Sequence, residues 1–260
     1  MTASLDAVER ALDGWRCRQP LVLGVCGAQG SGKSTLAEGL TARLTAKGLR
    51  AATLSIDDLY LSHAERARLG QVVHPLFATR GAPGTHDVAL GVRLLDAVRA
   101  GEDVVLPRFD KATDDPAPAG TPVRGPLDVL IFEGWCVGAR AQDDTALVIP
   151  VNALEAERDP GVIWRRFANL ALATDYAELF ARIDRLVLLA APGFEVVRDW
   201  RIQQEHELRA RVGEDGRTMS DDEIGVFIQH YERLTRHILS DMPAYADLTL
   251  RLDAHRRLKA

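Results

Sequence analysis

The residues best suited to chemistry stand at three places: Lys33 and Ser34 behind a run of glycines, the acid pair Asp57-Asp58, and Glu133 at the end of an apolar run. The first place reads Gly27-Ala28-Gln29-Gly30-Ser31-Gly32-Lys33-Ser34, which satisfies G-x-x-x-x-G-K-[ST] at every fixed position and continues into Thr35. Glycines at such spacing let backbone N–H groups turn inward around phosphate oxygens, and the following helix adds partial positive charge at its N-terminus. Gly27 to Thr35 are therefore the expected nucleotide-binding set. Lys33 would reach the β- and γ-phosphates, and the Ser34 hydroxyl would ligate Mg²⁺.

The acids suit the same chemistry. Asp57 and Asp58 follow the strand-like stretch Ala51–Ile56, and in open parallel sheets ligands bind outside the carboxyl ends of strands. Either acid could accept the proton of an acceptor hydroxyl or hold Mg²⁺ through water, while one of them could instead cap the next helix. Val129-Leu130-Ile131-Phe132 are apolar and deliver Glu133 to the metal side of a phosphate site.

The elements that must position these groups alternate between strand and helix, the pattern of an α/β fold with a parallel sheet. Leu21–Cys26 is β-branched and too short to span a membrane, so it reads as a buried strand, and Thr35–Leu44 has helical spacing up to Lys47-Gly48. Further strands are expected at 103–107, 127–133, 185–192 and 246–253. Helices are expected at 3–16, at Val88–Ala100 behind a cap at Thr85 or Asp87, and within 152–183. A charged helix, Phe194–Val212, should break at Gly213-Glu214-Asp215-Gly216, and a last one should start at the capping box Ser220–Glu223 and run to about Leu239. Residues 61–86 lack an apolar period and read as a functional loop, 112–126 as a surface loop, and 255–259 as a frayed basic end.

At 260 residues and 47% hydrophobic content, one large domain over residues 1–260 is expected. A net charge of −5 gives no footprint for nucleic acid. Cys17, Cys26 and Cys136 lack metal-ligand spacing and read as reduced thiols in the cytoplasm. The first residues carry no apolar signal region, and no run is long enough for a membrane span.

The ordered segments GAQGSGKST, SIDDLYL, RGAPGTHD, LPRFDKA, LIFEGWCVGA, DWRIQQEHELR and MSDDEI resemble the D-glycerate 3-kinase family and its bacterial kinase relatives. These belong to the wider P-loop group with uridine kinase, phosphoribulokinase and bacterial pantothenate kinase. The resemblance runs from about residue 20 to 240. It implies a P-loop NTPase three-layer α/β sandwich with a mostly parallel central sheet flanked by helices. It also implies ATP- and Mg²⁺-dependent phosphorylation of a small hydroxylated metabolite, D-glycerate foremost. By the same resemblance Asp57 is the base with Asp58 in reserve, and Glu133 is the metal-associated acid. Tyr60, Arg80, His86, Asp87, Arg108 and Lys111 fall on the acceptor side, and Arg201 and Arg209 would act from a lid. A carboxylate-bearing acceptor needs cations, for which Arg80, Arg108 and Lys111 are the candidates. Plant and fungal members carry a Ser- and Gly-rich stretch with an extra basic residue where this chain has ATDDPAPAGTP. Two alternatives stand beside this reading: a nucleoside or pantothenate-like acceptor in a pocket formed by Tyr60, Phe109 and Trp135, or a nucleotide-dependent switch without an acceptor.

Overall fold

The computed structural model describes residues 2–15, 20–212 and 219–259; Cys17 and the expected break at Gly213-Glu214-Asp215-Gly216 lie outside them. The chain begins with α1 (Thr2–Trp15), β1 (Leu21–Gly27), α2 (Lys33–Ala46), β2 (Ala51–Ser55), α3 (His63–Val72) and α4 (Val88–Arg99). Four short strands follow, β3 (Val104–Leu106), β4 (Phe109–Asp110), β5 (Asp115–Pro116) and β6 (Thr121–Val123), and then β7 (Val129–Gly134). Next come α5 (Ala153–Arg158), α6 (Ile163–Ala173), α7 (Asp175–Phe180) and β8 (Arg185–Ala190). The last elements are α8 (Glu195–Val212), α9 (Asp221–Phe227), α10 (Gln229–Asp241) and β9 (Leu248–Arg251).

The central sheet has the order β2-β7-β1-β8-β9, and every pairing in it is parallel. β1 and β7 are buried along their whole length, as their unbroken apolar runs require. Glu133 of β7 lies in register with Val25 of β1 and Ser55 of β2. All the strand ends that carry chemistry therefore open on one edge of the sheet. Helices flank the sheet in the three-layer arrangement of P-loop proteins, with α2 packed over β1, β2 and β7. Cys26 and Cys136 are buried free thiols; burial pushes the Cys26 pKa up to about 12. Among the described residues no helix is long and apolar enough to cross a membrane.

Four segments depart from the sequence expectation. Residues 61–86 hold α3 and the 3₁₀ turn Pro75–Ala78 instead of a bare loop. A Ser62–Glu65 capping box starts α3, and its inward residue is Arg66, only 1% exposed, so no apolar stripe marks the helix. Arg66 is satisfied by the carbonyls of Leu61, Ala78 and Asp114. Within 112–126, β5 pairs with β4 and β6 with β3, forming two antiparallel ladders too short to show a period. The last long helix is divided at Ile228 into α9 and α10. Residues 255–259 are not frayed: Leu258 bridges to Leu252, the Lys259 amide donates to the Arg251 carbonyl, and the Asp253 carboxylate accepts from the amides of His255 and Arg257.

Candidate active site

β1 runs into the P-loop, and α2 starts at Lys33 behind Gly32, which sits at φ 87° and offers no side-chain cap. The first N–H groups of α2 thus lack a side-chain partner and face the end where an anion is favoured. Gly30, at φ 75°, lies so close to Trp200 that a Cβ there would come within 2.6 Å of the Trp200 Cβ. Gln29, Gly30, Lys33, Ser34 and Thr35 line a cleft of roughly 630 Å³, while Gly27 closes β1 and Ala28 and Ser31 are buried beneath it. The Ser34 hydroxyl donates to Glu133 Oε1 at 2.9 Å. Glu133 Oε2 is buried and has no hydrogen-bond partner among the described residues. An orphaned carboxylate oxygen is costly to bury, and beside a hydroxyl it suits a hard cation that prefers oxygen ligands. Among the described residues no cluster of three His, Cys, Asp or Glu side chains could hold a metal unaided. The donor set fits Mg²⁺ that keeps phosphate and water ligands.

The acid pair separates cleanly. Both acids stand on a 3₁₀ turn, Ile56–Leu59, capped by the Ser55 hydroxyl. Asp57 lines the cleft; Oδ1 accepts from the Tyr60 hydroxyl at 2.9 Å and Oδ2 from Lys111 Nζ at 2.7 Å. Burial alone would raise its pKa, but the charges of Lys111 and Lys33 outweigh that and hold it below the usual carboxylate range. Asp58 also borders the cleft, yet both its oxygens are engaged: Oδ2 accepts from Arg108 at 2.8 Å and Oδ1 from the Phe109 amide at 3.1 Å. Asp58 anchors the β4–β5 hairpin, and Arg108 is spent on that anchor outside the cleft lining.

The acceptor-side residues divide in the same way. Arg80, Lys111, Tyr60 and Trp135 line the cleft. Arg80 donates to Asp114, whose other oxygen pairs with Arg66 at 2.8 Å. Gly81 turns at φ 130° directly under the Tyr231 ring, where any Cβ would collide with the phenol. The Tyr231 hydroxyl donates to the Arg80 carbonyl, and Trp135 Nε1 donates to the carbonyl of Gly81. Neither His86 nor Asp87 lines this cleft. The Asp87 side chain caps α4 by accepting from the Leu90 amide, and its own amide donates to the Leu59 carbonyl. His86 is buried, stacks on Tyr60 with ring centroids 4.5 Å apart, and bonds the Tyr176 hydroxyl. Its contribution to the site is through Tyr60.

From α8, Arg201 and Gln204 line the cleft, with Arg201 paired to the buried Glu205 at 2.6 Å. Arg209 instead donates to the Met219 carbonyl and is not part of the lining. Phe227 and Tyr231 complete the wall. Nothing in the sequence marks these two, because aromatics on a helix read as core. Gln204 stands three residues after Arg201, and that helical spacing was its signal.

Burial pushes the His86 pKa down to about 4 from 6.5. The unfolded chain therefore binds a proton between those values that the folded chain refuses, and stability from this group is lost as pH falls through that window. Full titration costs about 3 kcal/mol. Urea unfolding at pH 7.5 and 4.5 should show this loss in the wild type and a smaller one in His86→Gln. Equal losses in both would rule the assignment out.

The family model for Methylmalonyl Co-A mutase-associated GTPase MeaB matches residues 9–63, a stretch that holds the P-loop and the acid pair but none of Arg80, Lys111 or Glu133. Over 229 residues the chain is 38% identical to the uncharacterized kinase mug58 of Schizosaccharomyces pombe, covering 82% of this chain and 79% of that protein. Over 225 residues it is 32% identical to the chloroplastic D-glycerate 3-kinase of Arabidopsis thaliana, covering 82% of this chain and 46% of that one. The solved structure of D-glycerate 3-kinase from Cryptococcus neoformans var. grubii superposes with a TM-score of 0.81 at 27% identity, over 100% of this chain and 97% of that chain. With the sequence matched over 82% of the chain and the fold over 100% of it, the chain belongs to the family of P-loop kinases that includes D-glycerate 3-kinase.

Proposed function

We propose that the chain is an ATP- and Mg²⁺-dependent kinase that phosphorylates a small hydroxylated carboxylic acid, with D-glycerate as the acceptor and 3-phosphoglycerate as the product. The observation that carries this reading is one cleft shared by Lys33, Ser34 and Glu133 on one side and by Asp57, Arg80 and Lys111 on the other. When bound, MgATP supplies the phosphoryl group and the metal offsets its charge. The P-loop amides and Lys33 would hold the phosphates, and Ser34 with Glu133 would hold the metal. Asp57 orients the acceptor hydroxyl and takes its proton at a carboxylate oxygen. Arg80 and Lys111 read the acceptor carboxylate, and Arg201 neutralises charge from α8. Lys111 has a double part here. A carboxylate that draws it off Asp57 removes the charge that suppresses Asp57's basicity. Positioning and electrostatics supply most of the acceleration, since phosphoryl transfer asks little covalent work of the protein. The D-glycerate 3-kinases among the relatives support this acceptor.

The test is ADP release from MgATP with D-glycerate, L-glycerate, uridine, pantothenate or no acceptor. D-glycerate should stimulate turnover and the others should not. Stimulation by uridine or pantothenate alone would overturn the acceptor. Rapid hydrolysis that no acceptor raises would point to a switch.

A further inference from the structure

The turn after β9 folds back onto the P-loop. Leu252–Leu258 and Lys259 N to Arg251 O close its base, Asp253 ties its amides, and Arg256 projects from its tip. Arg256 Nε donates to the Gly30 carbonyl at 2.5 Å across 226 residues of sequence. Its other nitrogens donate to Gln203 Oε1 at 2.9 Å and to the Trp200 carbonyl at 3.3 Å, with the guanidinium 5.3 Å from the Trp200 ring centre. Trp200 answers by donating Nε1 to the Ala254 carbonyl at 2.7 Å.

We propose that Arg256 is a positioning residue of the nucleotide site, joining the P-loop to α8. The peptide between Gly30 and Ser31 is held at both ends: its carbonyl by Arg256 and its N–H by the Ala28 carbonyl at 3.1 Å. Gly30 sits at φ 75°, a region glycine enters and leaves easily, so the loop needs such a hold to keep one conformation. On α8, Trp200 and Gln203 meet Arg256, while Arg201 and Gln204, each one position on, face the cleft. One guanidinium therefore sets both the loop that cradles phosphate and the register of the helix above it. Arg256 itself occupies the left-handed region at φ 60°, a strained place for a non-glycine residue. Strain retained at such a contact is expected where the side chain serves the site.

This inference rests on nucleotide binding at the P-loop and not on the identity of the acceptor. Arg256→Gly suits the left-handed backbone and deletes the side chain. The chain should still fold, with relief of the left-handed strain offsetting part of the lost contacts, while the calorimetric Kd for ADP with Mg²⁺ and the KM for ATP should rise on the order of tenfold or more, as loss of charge-assisted hydrogen bonds implies. The acceptor KM should stay unchanged. Arg256→Lys, which can still reach one carbonyl, should recover part of the affinity. An unchanged Kd in Arg256→Gly, or a loss that tracks a lowered melting temperature in both variants, would overturn the role. Failure of the wild type itself to bind ADP would instead refute nucleotide binding at the P-loop and the inference with it.

Discussion

Asp57→Asn should lower acceptor-dependent kcat by about 10²–10⁴-fold, the range set by losing a positioned base, while leaving the Kd for ADP near the wild-type value. Asn keeps the shape and can still accept from the Tyr60 hydroxyl, so the 3₁₀ turn should hold. What disappears is the carboxylate that receives the proton and pairs with Lys111. The nucleotide side depends on the P-loop and on Glu133, neither of which is hydrogen-bonded to Asp57. Asp58→Asn makes the contrast. It weakens the anchor to Arg108 and the Phe109 amide, which hold the hairpin that carries Lys111. Its effect should fall on acceptor KM more than on kcat. Steady-state kinetics on both variants tests the pair. An Asp57→Asn enzyme that keeps wild-type kcat, or an Asp58→Asn enzyme that alone loses it, would reverse the assignment of the two acids.

That two adjacent, identical acids required coordinates shows where sequence reading stops. The P-loop was legible because β1, the glycines and α2 are contiguous, so spacing alone carries the geometry. Glu133 was legible because an apolar run ending in an acid, common by itself, follows a P-loop in the same chain. That the sheet is parallel followed from alternating elements; its strand order did not. Which of the two acids is taken up by the hairpin, and which is left to the cleft, depends on a single turn of 3₁₀ backbone, which no residue type encodes. α3 was hidden because its inward residue is an arginine, satisfied by carbonyls far along the chain. The same distance hides Asp114, which holds Arg80, and Arg256, which holds Gly30. His86 and Asp87 were drawn into the acceptor set by their neighbours in RGAPGTHD. The segment does lie at the site, but the cleft receives Arg80, while Asp87 caps a helix and His86 supports Tyr60 from behind.

Lys33→Met should lower kcat/KM for ATP by about 10²–10³-fold, the cost of removing one preorganised group from developing charge. Methionine keeps the stem, and Lys33 is half-buried at the first turn of α2, so the fold should tolerate the change. A second readout separates lost phosphate contact from lost electrostatics. Lys33 is one of the two charges that hold Asp57 below its ordinary pKa, and Lys111 is the stronger. Removing either cation makes the Asp57 carboxylate easier to protonate. The acidic limb of the kcat/KM profile should therefore move to higher pH in Lys33→Met, and further in Lys111→Met, whose Nζ lies 2.7 Å from the carboxylate. If both limbs stay where the wild type has them, the acid that governs the profile is not Asp57. If Lys111→Met moves it and Lys33→Met does not, phosphate binding is the whole of Lys33's part, and Asp57 answers to the hairpin alone.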